Sequence, residues 1–445
     1  MLALFTVSAG VSSRPPRLGS IARQFGSHSG SAHVNHASSP AARPSRPLWP
    51  GSRFTEADRS RAVIRGLNFI YRTALDRKNF SQYGPDYVWC FYTLSTAVKD
   101  PGVRQLARRM GLERARLWRR EHSSVPSDAD ATTIADLAYG NDAAESLGLR
   151  DDRLREQLKR AASFFKARDY LLFDPLTEPP PSDVPDECKR CGANNVRGAK
   201  VCFVCKKPLT MRTRYDVWYD ALITTYVGDR SGITLGAHYV DVLKWLPSMR
   251  PYRPMRGSND DEFYDAVYAV THIVYTLNNY SQYKLSPRLL PQEFAFLKAN
   301  LKEAIAQKDD DMLGEFMDTL RAFGLTSNDT LIRNGMEFYL THQHADGSWG
   351  DMHEKDIYMR YHPTWNAVAG LSEYVWREEG LSFPELKPLL EGWADGNEPS
   401  SDKRVSEYSE RLSPQGQEGG RASEASAPPL SFPKPEHARN LKSIR

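Results

Sequence analysis

Four of the five cysteines are clustered near the middle of the 445-residue chain. They form two C-x-x-C pairs, Cys188 with Cys191 and Cys202 with Cys205, and ten residues separate the pairs. Each pair makes a short turn whose two sulfurs can face one ion, and two such turns complete a tetrahedron of thiolates. Because no ligand position remains for water, the spacing predicts a structural Zn²⁺ site. Two redox-active pairs or a chance cluster are the alternatives.

The segment that carries these cysteines is also basic. Residues 188–205 resemble short zinc ribbons of the form C-x-x-C-G-A-x-N-x-x-G-A-K-x-C-x-x-C, and residues 188–214 contain eight basic side chains and no acidic one. Such a charge can bind RNA, a phosphate-rich surface or an acidic protein patch. We favour the simpler interpretation that these charges offset the thiolates, because Phe203 is the only aromatic residue there that could stack on bases.

A second set of residues suited to chemistry lies at the starts of predicted helices. In four places an acidic residue or a histidine is followed three positions later by an aromatic residue: Asp86-x-x-Trp89, Asp216-x-x-Tyr219, Asp265-x-x-Tyr268 and His362-x-x-Trp365. An acidic residue at the first turn complements the helix dipole, and the aromatic residue lies on the same face. In the helix predicted over 260–279, Asp265, Tyr268, His272 and Tyr275 form one stripe.

A cavity that combines these side chains suits general acid–base chemistry on a polar ring, or stabilisation of a cation by aromatic faces. The candidate catalytic residues are Asp216, Asp265, His272 and His362, and the candidate cavity residues are Tyr219, Tyr268, Tyr275 and Trp365. The alternative for each residue is structural, because aspartates also cap helices and aromatic side chains also fill a core.

The elements that must position these residues are helical. Helical periodicity runs from about residue 57 to residue 393, with almost no strand-like alternation. It predicts twelve helices, over 57–77, 86–98, 101–121, 130–147, 151–168, 213–228, 236–247, 260–279, 288–307, 309–323, 328–342 and 363–378. In the last hairpin the first helix ends before Gly347, Trp349 must be buried, and Pro363 is suited to the first turn of the second helix. One hairpin cannot bury its own apolar face, so repeated hairpins are expected.

One of these hairpins carries a recognisable motif. Residues 333–349 read R-x-G-x-x-F-x-L-x-x-Q-x-x-x-G-x-W. This resembles the QW repeat of squalene and oxidosqualene cyclases, whose repeat architecture also serves the β subunits of protein prenyltransferases. Residues 361–372 likewise resemble the helix start that follows such a repeat. The resemblance implies an all-α (α/α)6 toroid of about six helical hairpins, with the inner helices opening on one mouth and the small zinc ribbon inserted between two helices.

The catalytic motifs of these families are not matched. Triterpene cyclases carry an Asp-x-Asp-Asp acid, which residues 259–261 and 309–311 do not reproduce. Prenyltransferase β subunits hold a catalytic zinc ion with Asp, Cys and His, and His362 matches that histidine only loosely. The Asp-x-Cys sequence at residues 186–188 belongs to the cysteine cluster and is not such a partner. Neither activity therefore follows from the resemblance.

The two ends of the chain differ from its middle. Residues 1–55 contain no Asp or Glu but several arginines, which is typical of a mitochondrial transit peptide; a plastid transit peptide or the disordered tail of a cytoplasmic protein are the alternatives. Residues 394–445 are polar and predicted to be disordered. Without residues 1–50 the chain has 54 basic and 55 acidic residues, which argues against a large nucleic-acid surface. No apolar run is long enough for a predicted membrane span.

The predicted organisation is a transit peptide or disordered segment (1–55), a first toroid part (56–180), the zinc ribbon (181–212), a second toroid part (213–393) and a disordered tail (394–445). Three functions remain open. The first is a non-catalytic module that binds a protein partner or a hydrophobic ligand. The second is an enzyme with terpenoid-cyclase-like or carbohydrate lyase- or epimerase-like chemistry in the ring cavity. The third is an organellar RNA- or ribosome-associated factor. We prefer the first, because the motifs that identify the fold are structural and those that would identify chemistry are missing.

Overall fold

Residues 46–257 and 260–396 are described by a computed structural model, and this part of the chain is mostly helical, as predicted. Its fifteen α-helices are α1 Glu56–Leu75, α2 Arg77–Ala97, α3 Pro101–Glu121, α4 Ala131–Ser146, α5 Asp152–Ala162, α6 Ala167–Leu171, α7 Arg214–Ser231, α8 Tyr239–Leu243, α9 Leu246–Met249, α10 Asp261–Leu277, α11 Pro291–Gln307, α12 Asp310–Ala322, α13 Thr330–His342, α14 Tyr358–Leu371 and α15 Lys387–Ala394. A 3-10 turn precedes α15, and two short parallel strands pair with each other, β1 Tyr283–Lys284 and β2 Arg377–Glu379.

The predicted end segments lie largely outside the described residues. Residues 1–45 of the predicted transit peptide and residues 397–445 of the predicted tail are not described, so both assignments stay predictions. Residues 46–55 contact the helices: Leu48 is buried in the core, and its N–H donates to Phe54 O at 3.0 Å. In the two described ranges, no helix combines the length and the apolar character that crossing a membrane requires.

Most helices begin where a short polar side chain accepts a backbone N–H of the first turn. At α1 the Thr55 hydroxyl accepts the Asp58 N–H at 3.3 Å, and the Asp58 carboxylate accepts the Thr55 N–H at 2.8 Å. Six further helices are capped by an aspartate at residue 76, 100, 130, 151, 260 or 309. These six aspartates start helices and are not the candidate catalytic ones.

The prediction of a helix over 363–378 was wrong. The helix α14 begins at Tyr358, so Pro363 lies inside it and not in its first turn. A proline so close to the start removes only one helical hydrogen bond, the one to Met359 O, and the helix continues through it. After Leu371 the chain becomes extended and residues 377–379 pair with β1.

Two other predicted helices are each divided in two. Within 151–168 a new helix, α6, starts where the Asp169 carboxylate accepts the Lys166 N–H at 2.7 Å. Within 236–247, α8 ends at Leu243 because Pro247 lacks the N–H that would bond to the Leu243 carbonyl. Periodicity alone did not register either break, since apolar residues continue across both.

Six helices are buried on most of their faces: α2, α4, α7, α10, α12 and α14. Each contacts the next one in this order, and α14 contacts α2 as well as α12. Other helices pack against these six, α3 against α2, α5 against α4, α8 against α7, α11 against α12 and α13 against α14. The first helix, α1, packs against α14, so distant parts of the chain meet.

The QW-like segment forms part of this junction. The Gln343 side-chain amide donates to Ala62 O at 2.8 Å, across 281 residues of chain, and to Gly347 O at 3.0 Å. Trp349 is 1% exposed, which confirms its predicted burial, and its indole N–H donates to Tyr339 O at 2.9 Å. A Cβ at Gly66 would lie 2.7 Å from the Trp349 ring, so α1 can approach this closely only with glycine there. Gln343 and Trp349 therefore hold α1 against α13.

Candidate functional site

The four clustered cysteines lie in the connection between α6 and α7. Their sulfur atoms are all within 4.8 Å of one another. The Sγ atoms of Cys188 and Cys205 are 3.4 Å apart, and those of Cys191 and Cys202 are 3.6 Å apart. Four thiolates bound to one Zn²⁺ ion at about 2.3 Å would be roughly 3.8 Å from one another. These cysteines could therefore hold one metal ion.

Backbone N–H groups prepare two of the sulfurs for this role. Hydrogen bonds from the N–H groups of Cys205 and Val204 hold the pKa of the Cys202 thiol at about 6, below its usual value. The N–H groups of Arg190 and Cys191 lower the pKa of Cys188 in the same way. Such donors stabilise the thiolate over the thiol, and the thiolate is the form that binds a metal.

The fifth cysteine is different. Cys90 is fully buried in α2, and burial raises the pKa of its thiol well above the usual value. A thiol in such surroundings is inert. Cys90 is therefore a core residue.

The two ends of the cysteine segment are hydrogen-bonded to each other. The Arg212 N–H donates to Val184 O at 2.8 Å, and the Asp186 N–H donates to Thr210 O at 2.9 Å. Further along, the Arg197 guanidinium lies 2.6 Å from an Asp183 carboxylate oxygen. Because the chain enters and leaves the segment at neighbouring positions, the segment can be inserted without separating α6 from α7.

A small cavity of about 60 Å³ lies among α2, α10, α12, α14 and the loop after α10. A space of this size holds on the order of four water molecules. Its lining is rich in ionisable and amide groups, namely His272, Glu315, Asp318, His362 and Asn366.

A histidine and an aspartate form the best-defined pair at this cavity. His362 Nδ1 lies 2.7 Å from Asp311 Oδ1, and both side chains are largely buried. The other Asp311 oxygen accepts the Tyr268 hydroxyl at 2.9 Å, and the Asn366 amide donates to Oδ1 at 2.8 Å. Burial alone would lower the pKa of His362, but the Asp311 carboxylate outweighs it and the pKa lies above its usual value. The pair therefore favours the protonated form of His362 over the neutral one.

Two carboxyl groups of α12 face the same cavity. Glu315 accepts the Thr271 hydroxyl, and burial, with the Asp311 charge beside it, raises its pKa to about 7. Asp318 accepts the Ser281 hydroxyl at 2.9 Å, and burial raises its pKa to about 6. Both groups can thus exchange a proton near neutral pH, which suits general acid–base chemistry.

The Asp318 partner lies in an unusual loop. Asn279, Tyr280 and Ser281 have φ angles of 54°, 49° and 62°, a left-handed conformation in three successive residues that are not glycine. The loop is held by the Ser281 N–H, which donates to Asn278 Oδ1 at 2.9 Å, and by stacking of Tyr280 on Tyr275 at 5.6 Å. Strained backbone of this kind persists only where its surroundings fix it, and it is concentrated at functional sites.

Four of the eight catalytic and cavity candidates from the sequence line this cavity: His272, Tyr275, His362 and Trp365. Tyr268 and Tyr219 lie behind the lining residues. The first donates to Asp311, and the second stacks on His272 with 5.3 Å between ring centres. Burial lowers the pKa of His272 well below its usual value, so this imidazole is neutral.

The other two candidates, Asp216 and Asp265, are not among the lining residues. Asp216 lies 2.7 Å from the Arg212 guanidinium, at the exit from the cysteine segment. Asp265 accepts the Thr213 hydroxyl at 2.9 Å, and burial raises its pKa to about 7. The structure therefore places these aspartates beside residues 212–213 and not beside His362.

Sequence reasoning missed Asp311, Glu315, Asp318 and Asn366. A usable signal existed for Asp311, because it lies in the first turn of a helix that is buried on most of its faces. It was overlooked because Gly314 stands three positions later, where the patterns that begin at Asp86 and Asp265 have an aromatic residue. Comparison of the chain with protein-family models, curated proteins and solved structures gives no match.

Proposed function

We propose that the helices form an (α/α)6 toroid in which α2, α4, α7, α10, α12 and α14 are the inner ring. The support is the cyclic order of their contacts, which returns from α14 to α2, together with burial of these six helices on most faces. The bonds from Gln343 to α1 join the two ends of the ring. This architecture is the one that the QW-like motif implies.

We propose further that the cysteine segment is a zinc ribbon. Four sulfur ligands suit Zn²⁺, and a complete set of four protein ligands leaves no position for a substrate. The ion would then be structural, and it would fix the loop between α6 and α7.

We propose that the protein is an enzyme that performs general acid–base chemistry on a small polar substrate at the centre of the ring. The observation that carries this proposal is that His362 and Glu315 line the same cavity while each is held by a separate partner, Asp311 and Thr271. Two groups whose surroundings set different protonation states are the usual requirement for such catalysis.

The roles follow from the hydrogen bonds. His362 is bonded to Asp311 through Nδ1, so Nε2 is the nitrogen that can donate a proton to substrate. Glu315, with a pKa of about 7, is substantially ionised at neutral pH and can accept one. Removal of a proton on one side and delivery on the other is the chemistry of a carbohydrate-type lyase or epimerase.

The cavity favours this class over a terpenoid cyclase or a carrier of hydrophobic ligands. It measures about 60 Å³, which is too small for a large hydrocarbon, and its lining combines apolar and aromatic side chains with carboxyl, imidazole and amide groups. Burial of a large hydrocarbon against those groups would remove their hydration without replacing their hydrogen bonds, which is costly. A polar substrate can supply the missing bonds.

The test is exchange of substrate protons with solvent. It does not require the exact substrate to be known, because a panel of compounds from the proposed class can be screened. The full chain is incubated in D₂O with a panel of trioses and small hydroxy acids, the sizes that a cavity of about 60 Å³ admits, and loss of C–H signals is followed by NMR. We expect one member to exchange with wild type and Asp265→Asn, and at least about 100-fold more slowly with Glu315→Gln. Equal rates for Glu315→Gln and wild type, or no exchange with any member, would overturn the proposal.

A further inference from the structure

Exposed apolar side chains are concentrated in the cysteine segment. Of the eleven large hydrophobic side chains that are exposed in residues 46–257 and 260–396, four lie within nine residues: Val196, Val201, Phe203 and Val204. Exposed hydrophobic residues normally occur singly, and a concentration of them marks an interaction site. Phe203 is 63% exposed and Val196 is 79% exposed, so most of each side chain is accessible to a partner.

The exposure of these side chains does not result from poor packing of a hydrophobic core. A segment of about 30 residues is too small to build a hydrophobic core and relies on its metal ion instead. Its buried side chains include Cys188 and Cys202, which belong to the metal cluster. The exposed apolar residues are therefore free to serve another purpose.

Hydrogen bonds keep these residues in one place. The Phe203 N–H donates to Asn195 Oδ1 at 3.0 Å, which fixes the second cysteine turn beside the loop that carries Val196. The Lys206 ammonium donates to Phe203 O at 2.7 Å, so a positive charge lies next to the backbone of Phe203. Apolar and cationic groups thus share one surface.

The charge of this surface exceeds what the metal cluster requires. Five exposed basic residues belong to it: Lys189, Arg190, Lys200, Lys206 and Lys207. Zn²⁺ bound by four thiolates carries a formal charge of about −2, and Asp186 and Glu187 beside the cluster add two negative charges, so a surplus of about one positive charge remains. The acidic neighbours Glu178 and Asp183 do not offset that surplus, because Arg197 already pairs with both. Offsetting the thiolates therefore does not account for all five charges.

We propose that this basic–apolar surface, residues 189–207, binds an acidic segment of another protein in which carboxylates are interspersed with aliphatic or aromatic side chains. Carboxylates complement the lysines, and apolar side chains fit the valines and Phe203. RNA fits less well, because three of the four apolar residues are valines, which offer no ring for a base to stack on.

Fluorescence titration of the zinc-loaded full chain tests the proposal with three probes of equal charge. They are an acidic peptide with interspersed Leu and Phe, the same peptide with Ser in place of Leu and Phe, and oligouridine. We expect the first peptide to bind about tenfold more tightly than either other probe, and Phe203→Ser to weaken it about fivefold. The matched control is Phe164→Ser, which removes an exposed phenylalanine outside the cysteine segment and should leave affinity unchanged.

Three outcomes overturn the proposal. Equal affinity for the two peptides would show that charge alone is recognised. Tighter binding of oligouridine would assign the surface to nucleic acid. Absence of binding by the first peptide, with zinc content and melting temperature unchanged in every variant, would leave the surface without the proposed partner class and refute it.

Discussion

His362 and Asp311 lie 51 residues apart in sequence, on two different helices, and the His362 Nδ1 atom is 2.7 Å from the Asp311 carboxylate. Because this contact raises the pKa of His362 against the effect of burial, Asp311→Asn should lower that pKa to below the ordinary value of about 6.5. NMR titration of the His362 ring measures it directly. The exposed His353 is the internal control, and an unchanged His362 pKa would contradict the assignment.

The same contact gives a sign for stability. The folded-state pKa of His362 is raised, so its contribution to stability is fully present below the unfolded value of about 6.5 and is lost as the pH rises through the folded value. Asp311→Asn should therefore destabilise the protein more at pH 6 than at pH 9. Urea unfolding at the two pH values would show this difference.

Gly314 permits the contact between α12 and α14. A Cβ at this position would lie 2.4 Å from the carbonyl carbon and oxygen of Asn366, and backbone atoms cannot move aside as a flexible side chain can. Gly314→Ala should therefore separate the helices, cost roughly 1–3 kcal/mol or more, and lower the pKa of His362 as Asp311→Asn does. Gly84→Ala is the control, because its Cβ would meet neighbours at an ordinary 3.4 Å. Equal effects of the two variants in thermal unfolding would refute this account.

The helices were accessible from the sequence because their signals are local. Apolar periodicity and capping aspartates act within one or two turns of chain, and Gln343 and Trp349 belong to a motif that is contiguous in sequence although their contacts reach α1. The partner of His362 was not accessible, because no local pattern links residue 311 to residue 362. The close approach of the two helices requires glycine at position 314. An aromatic residue at this position would have matched the pattern by which the other helices were recognised, so the requirement for glycine also hid Asp311.

Glu315 should make stability depend on pH in the opposite direction from a salt-bridged carboxylate. Its folded-state pKa of about 7 lies above the unfolded value of about 4.3, so its favourable contribution is lost as pH rises through 7. Glu315→Gln keeps an oxygen for the Thr271 hydroxyl and cannot ionise. We expect it to match wild type below about pH 4, to become the more stable form as the pH rises from about 4 to 7, and to be more stable by up to roughly 3 kcal/mol at pH 8.5.

Thermal unfolding across this pH range measures the Glu315 effect. Glu303→Gln is the matched control, because this side chain lies on α11 and is not among the cavity residues. The control should run parallel to wild type at every pH. A Glu315→Gln variant that also runs parallel would mean that Glu315 does not titrate near neutral pH.

Cys188→Ser should remove the metal ion. The sulfur of Cys188 lies within 4.8 Å of the other three cluster sulfurs, and a hydroxyl is a poor replacement for a thiolate ligand. We expect about one equivalent of zinc in wild type and almost none in the variant, measured by elemental analysis of purified protein. Cys90→Ser replaces a buried cysteine outside the cluster and should keep the full zinc content. Another metal in place of zinc would correct the identity of the ion while leaving the cluster intact.

Trp349→Ala should be among the most destabilising single changes in the chain. The side chain is 1% exposed, bonds to Tyr339 O at 2.9 Å and fills the space that Gly66 leaves on α1. Truncation leaves a cavity that the packed helices cannot close, which costs roughly 3–5 kcal/mol, measured as the shift in urea unfolding. Trp376→Ala, at a partly exposed tryptophan, should cost less than half as much. Because the contacts of Trp349 join α1 to α13, loss of this residue should also increase amide exchange in α1. Protection of α1 equal to that in wild type would show that the QW-like segment does not hold α1 against α13.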